Sequence, residues 1–303
     1  MNNFASMPDD KVMDFNNKIL QMLSNYLNNA PDFIEKKVID DITRDCNVTV
    51  EYAFSVLLAA ACGLNIDDNG DDRELFHQYF PSMIHLLKAE DYYRNSYYRD
   101  IIIPDIKVGN CELKTEHYKP YEAFVCNDLE TKKDGRIIPQ IGFFACDFPY
   151  PAILENGRIW MTITPNEIET MKLAVEKASG NVLTFGLGLG YYAYMVSEKE
   201  EVSTVTVVEK NEDVIHIFTK YIMPQFKNAH KIKIIQYDAY AYADKNFVAG
   251  NNTADGRFDL VFTDLWHDVS DGALLYLKMK EYEKHCPETI FMYWIEKSIL
   301  CYL

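Results

Sequence analysis

The stretch NVLTFGLGLGYYAYMVSEK, residues 181–199, decides the fold. A short β-branched and aromatic run, Val182 to Phe185, passes straight into glycines at 186, 188 and 190 and then into a helical pattern. In an open parallel sheet, ligands bind at the carboxyl ends of the strands, and glycines there let the backbone approach a ligand with no Cβ between. Two registers compete. Gly188, Gly190 and Ala193 fit G-x-G-x-x-A, the dinucleotide fingerprint, but leave two residues between strand and motif. The same fingerprint started at Gly186 puts Tyr191 where close helix–strand packing wants a small residue. A G-x-G-x-G loop, Gly186, Leu187, Gly188, Leu189 and Gly190, fits better, and NAD-dependent redox chemistry rests on the other register alone.

Working outward, the runs NVLTF, VSTVTVV, KIKIIQ, FDLVFTD and TIFMYWI are strand-like, and helical patterns separate them. That alternation predicts an α/β fold with a parallel sheet and crossover helices. The helix after the second strand is the clearest: Asn211 caps it, Glu212 and Asp213 occupy its positive first turn, and Val214, Ile217, Phe218, Tyr221 and Ile222 line one face. Upstream, Pro165 to Ser179 describes one helix stopped by Gly180. Residues 8–99 read as helical, with breaks at Asn29 to Pro31 and at 63–72, and 101–163 read as short strands forming a small sheet. Three segments follow: a helical unit over 1–99, a small β region over 100–164 and a Rossmann-like domain over 165–303.

Only about 40 residues follow Asp264, enough for one helix, one strand and a final helix. The sheet is therefore expected to stop after its fifth strand, or to borrow an edge from the β region; an uncovered flat edge invites aggregation or a homodimer.

The net charge of -16 argues against nucleic acid as a partner, since phosphate binding needs a clustered excess of Lys and Arg. The longest apolar run, Tyr52 to Leu64, is far shorter than the roughly 20 residues that span a bilayer. It predicts a buried core helix and no membrane partner. The start MNNFASMPDDKVMDF lacks a basic segment followed by an apolar one, and seven dispersed cysteines form no close pair. Reduced thiols, a cytoplasmic location and no structural metal are the expectation.

Three acids stand at strand ends. Glu209 closes the second strand 19 residues past Gly190, where a carboxylate can accept bonds from both ribose hydroxyls of a nucleoside. Asp238 follows the third strand, placing a carboxylate and the Ala239 amide where an adenine amino group and ring nitrogen would lie, although a helix N-cap role competes and can coexist. Asp264 ends the fourth strand beside Trp266, His267 and Asp268, where a carboxylate can take a proton from an attacking amine or hold its cation.

The combination VLTFGLGLGYYA, VTVVEKNEDVI, IIQYDAYAY and FDLVFTDLWHD resembles the class I S-adenosylmethionine-dependent methyltransferase superfamily, and within it the spermidine synthase branch, over roughly residues 154–295. The resemblance implies that Gly186, Leu187, Gly188 and Gly190 line the methionine and ribose part of S-adenosylmethionine, that Glu209 binds the ribose, and that Asp238 with Ala239 binds the adenine. Asp264 would serve as base or amine anchor, with His267 and Asp268 as secondary catalytic candidates. The hairpin LENGRIWMT is similar to the last hairpin of that branch's N-terminal sheet. Departures are equally specific. Leu189 stands where the branch carries a loop Asp that holds the amine side of its donor, Trp160 stands where it carries a Gln, and the helix NEIETMKLA lacks its Tyr-(His/Gln)-Glu.

The expected function is methyl transfer from S-adenosylmethionine to an N or O nucleophile of a small-molecule acceptor, an amine being one class. The alternatives are aminopropyl transfer, as in a polyamine synthase, and a non-catalytic binding or scaffold protein that keeps the fold.

Overall fold

The computed structural model describes residues 10–248 and 257–303; the first nine residues of the stretch read for an export signal lie outside them. In chain order the helices and strands are α1 Asp10–Asn29, α2 Lys36–Cys46, α3 Val50–Ala61, α4 Gly70–Met83, β1 Ile84–Leu87, α5 Ala89–Tyr93 and α6 Ser96–Asp100. The β-rich stretch follows with β2 Ile106–Val108, β3 Cys111–Tyr118, β4 Phe124–Thr131, β5 Ile137–Phe144, β6 Phe148–Glu155 and β7 Arg158–Thr162. Then come α7 Pro165–Lys177, β8 Gly180–Phe185, α8 Tyr191–Ser197, β9 Val202–Glu209, α9 Glu212–Ile217, β10 Ile232–Gln236, α10 Ala239–Ala243, β11 Leu260–Thr263, α11 Val269–Lys280, β12 Ile290–Tyr293 and α12 Glu296–Leu300. These elements form two compact units, one of residues 1–89 and 117–148, the other of residues 90–116 and 149–303. Both cut across the consecutive segments 1–99, 100–164 and 165–303.

The first unit is built on α1 to α4. The apolar run at 52–64 becomes α3, started by the Thr49 side chain accepting the Tyr52 N–H, and its Ala53, Phe54, Leu58 and Ala59 are fully buried. The helical expectation for 8–99 fails at Ile84 to Leu87, which is a strand running parallel to β5 with Ile84 opposite Ile141. The reason is tertiary. β5 is buried along nearly its whole length and needs a hydrogen-bonded strand on each side, which β1 and β4 supply, and that demand overrides local helix preference. The expected single small sheet is likewise two: a three-stranded β1-β5-β4 sheet and a four-stranded β2-β3-β6-β7 sheet.

In the second unit the parallel sheet runs β10-β9-β8-β11-β12. All four pairings are parallel, for example Val182 with Val205 on one side of β8 and Val182 with Leu260 on the other. Counted along the domain this is the order 3-2-1-4-5, a Rossmann-like arrangement with the switch point between β8 and β11. β8 and β11 carry unbroken buried runs, as strands covered on both faces must, whereas the edge strands β10 and β12 are partly exposed. The sheet is the shorter of the two forms expected: five strands, with no edge borrowed from the β-rich stretch. Asn211 does cap α9, accepting the Asp213 and Val214 N–H groups at 3.0 and 3.3 Å, but the expected single helix widens into a π turn over Phe218–Ile222 before Pro224. Among the described residues no helix is long and apolar enough to cross a membrane.

Candidate functional site

The glycine loop leaves β8 with three left-handed residues, Gly186 at φ 96°, Gly188 at φ 54° and Gly190 at φ 77°. Each conformation favours glycine, but the three differ in what surrounds them. A Cβ on Gly186 would lie 2.0 Å from the Asp264 carbonyl oxygen, and one on Gly190 would lie 2.1 Å from the Phe218 ring. Around Gly188 nothing is nearer than the Met161 sulfur at 3.7 Å. The outer glycines thus allow the loop to pack on β11 and on the π turn, while the middle one leaves bare backbone facing open space. The side chains of Leu187 and Leu189 are buried, so Leu189 is part of the packing and offers no polar group.

Glu209 ends β9 directly beside this loop and is 8% exposed. One carboxylate oxygen accepts the Leu187 N–H at 3.1 Å; the other accepts the N–H groups of Lys210 and Asn211, each at 2.8 Å. The acid placed here by its spacing from Gly190 therefore ties the loop to the next strand, and lone pairs remain on the oxygen that holds Leu187. Asp238 is the N-cap of α10, accepting the Ala241 N–H at 3.0 Å, and its neighbour Ala239 is buried. Both line the same cavity, so cap and cavity wall coexist.

Asp264 follows β11 at the point where that strand touches Gly186. Burial, then the charges of Glu167 and Glu209, pushes its carboxyl up to about 8. Glu167 is the acid that spacing arguments passed over. It occupies the first turn of α7 and accepts the Thr162 hydroxyl at 2.8 Å and the Thr164 N–H at 2.9 Å, with a further short bond from the Thr164 hydroxyl. Its only trace in the sequence is the T-x-x-E of a capping box, Thr164 to Glu167. Burial raises its carboxyl also, against those hydrogen bonds.

The remaining candidates separate. The His267 ring lies beside the Trp160 indole, centroids 5.7 Å apart, and both side chains line the cavity. Asp268 does not line it: its carboxylate accepts the N–H and hydroxyl of Ser270, both at 2.6 Å, and caps α11. Those bonds hold its carboxyl below the usual range. Its second oxygen lies 3.7 Å from His267 Nδ1, so Asp268 reaches the cavity only through that ring.

Apart from Asp268, these residues line a cavity of about 750 Å³ at the carboxyl ends of β8, β9, β10 and β11. Its wall carries six acidic side chains (Glu155, Glu167, Glu209, Asp238, Asp264 and Asp271) against one lysine, Lys210. Among the described residues no group of three His, Cys, Asp or Glu is placed to hold a metal ion.

No family model and no curated protein matches the chain. Among solved structures it is similar to spermidine synthase in complex with the transition-state analogue AdoDATO, at 18% identity and a TM-score of 0.32, covering 47% of this chain and 48% of that one. It is similar to human methyltransferase-like protein 13 in complex with SAH, at 18% identity and a TM-score of 0.32, covering 44% and 65%. Spermidine synthase from Thermotoga maritima gives the same identity and TM-score, covering 47% and 49%. The chain thus spans from about half to just under two thirds of the length of these proteins.

Proposed function

We propose that the second unit binds S-adenosylmethionine and transfers its methyl group to a nitrogen or oxygen nucleophile of a small molecule. The observation that carries this reading is the convergence of the bare Gly188 backbone, Glu209, Asp238 and Asp264 on one cavity at the strand ends. A volume of about 750 Å³ lies within the ordinary range for small-ligand sites. The residues fit an adenosyl ligand: Glu209 retains acceptor capacity for ribose hydroxyls, and Asp238 and Ala239 line the same space for a base.

When bound, S-adenosylmethionine supplies an electrophilic methyl group on a positively charged sulfur. The chain's own part is alignment and charge. Near neutral pH Asp264 carries a proton, because burial and two neighbouring carboxylates disfavour its ionised form. A cation beside it lowers that proton affinity, freeing the carboxylate to accept a proton from the nucleophile or to hold an ammonium. Met161, Leu265 and Trp294 supply apolar surface to the cavity wall, together with Trp160, which is 44% exposed.

Aminopropyl transfer is the second reading, favoured by the six acidic side chains around the cavity and disfavoured by Leu189, whose buried side chain cannot hold an amine. A donor-swap assay separates the two. Turnover with S-adenosylmethionine and not with its decarboxylated form supports methyl transfer; the reverse supports aminopropyl transfer. Binding of neither leaves a scaffold role.

A further inference from the structure

The glycine loop is held from a second side, by a helix that the nucleotide-binding pattern does not include. The segment from Glu90 to Asp100 belongs to the same compact unit as the parallel sheet. Its helix α6 is capped by Asn95, whose side-chain oxygen accepts the Tyr97 N–H at 2.9 Å and whose amide nitrogen donates to the Tyr191 hydroxyl at 2.9 Å. At the other end, Asp100 accepts the Tyr194 hydroxyl at 3.0 Å and the Lys227 ammonium at 3.1 Å. Between these ties Tyr97 is 1% exposed, and its ring meets Tyr191, Tyr194 and Phe226 edge-on at 5.7, 5.5 and 6.5 Å. Phe226 in turn meets Phe218, the ring that packs against Gly190.

We propose that Tyr97 is a positioning residue for the ligand-binding loop: its hydroxyl donates to the Leu189 carbonyl at 2.6 Å, at the junction where the loop becomes α8. Glu209 holds the loop by the Leu187 N–H and Tyr97 holds it by the Leu189 carbonyl, so Gly188 is suspended between two fixed points. The bond gives the carbonyl of buried Leu189 its donor just before α8 begins. Burial holds the Tyr97 phenol far above its ordinary proton affinity, so it is a donor at every working pH. The consequence for ligand binding rests on the adenosyl reading above; the mechanical role does not.

The test compares Tyr97→Phe with Tyr282→Phe in the full chain. Tyr282 is also buried and does not touch the glycine loop; its hydroxyl donates to Asp244 at 2.7 Å and lies 3.5 Å from the Tyr240 carbonyl, so its variant measures the cost to loop exchange of losing a buried phenol bond elsewhere in the unit. Hydrogen exchange of the amides over 186–192, without ligand, should accelerate about tenfold in Tyr97→Phe, the weight of one ordinary hydrogen bond, and stay unchanged in Tyr282→Phe. S-adenosylhomocysteine affinity should fall about fivefold to tenfold in the first variant only. Unchanged loop exchange in Tyr97→Phe, or equal acceleration in both variants, overturns the proposal. Accelerated exchange in a protein whose wild type binds no adenosyl ligand keeps the positioning role and removes the ligand reading.

Discussion

The Glu209 carboxylate joins two neighbouring strand ends, accepting the Leu187 N–H of the glycine loop at 3.1 Å while its other oxygen accepts the Lys210 and Asn211 N–H groups. Replacing it with Ala strands one buried donor, the Leu187 N–H, at about 1–3 kcal/mol if left wholly unsatisfied, and frees the Lys210 and Asn211 N–H groups, which lie nearer solvent. Glu209→Ala is expected to melt several degrees lower than wild type and to lose adenosyl affinity at least about tenfold. Glu209→Gln keeps one side-chain acceptor and should recover more stability than affinity. Thermal melts paired with calorimetry measure both; equal recovery of the two would remove the ribose role.

The three loop glycines should respond differently to Ala. At Gly186 the new Cβ meets backbone oxygen and at Gly190 an aromatic ring, each near 2 Å, so both variants are expected to lose stability severely, Gly186→Ala most because backbone cannot turn aside. Gly188→Ala meets no close atom and should cost about 1–2 kcal/mol, from its φ of 54° alone. It should nevertheless abolish ligand binding by placing a methyl group on the bare backbone. A Gly188→Ala protein that binds normally contradicts the assignment of that backbone to the ligand.

Asp264 gives the pH dependence its sign. Its folded-state proton affinity is raised from an ordinary carboxyl to about 8, so the native state holds a proton that the unfolded chain releases. Its stabilising contribution is complete below about pH 4 and is lost as the pH rises through about 8. Asp264→Asn should therefore gain stability relative to wild type as the pH is raised across that window. Melting curves in a pH series check it, and a constant or shrinking difference contradicts it. The same variant should bind adenosyl ligands and turn over slowly.

Much of this was legible because buried parallel strands announce themselves. Val182 to Phe185, Val202 to Glu209 and Leu260 to Thr263 are mostly apolar where they are buried, and the glycines and acids sit at their ends. What was hidden depends on long-range contact. Ile84 to Leu87 became a strand only because β5, some 50 residues on, needed a parallel neighbour. Tyr97 carries no motif, and its bond to Leu189 spans 92 residues. Glu167 has only the T-x-x-E of a capping box to mark it, and only the fold brings its charge to Asp264. Asp268 stands close in sequence to Asp264 but begins a helix, and it meets the cavity only through His267.

That distinction is testable by pairing neighbours. Asp268→Ala removes an N-cap and should cost about 1 kcal/mol of stability with ligand affinity intact. His267→Ala changes the cavity wall beside Trp160 and should alter acceptor turnover with little loss of stability. Turnover lost in Asp268→Ala at unchanged ligand affinity would restore it as a catalytic candidate.

The most direct measurement is calorimetric titration of the protein with S-adenosylmethionine, decarboxylated S-adenosylmethionine, S-adenosylhomocysteine and NAD, repeated on Glu209→Ala. The predicted result is saturable binding of the adenosyl ligands, weakened in the variant, and no binding of NAD. For S-adenosylmethionine the enthalpy should also depend on the buffer, as Asp264 gives up its proton to the incoming positive charge. Absence of adenosyl binding, or binding indifferent to Glu209, contradicts the central claim.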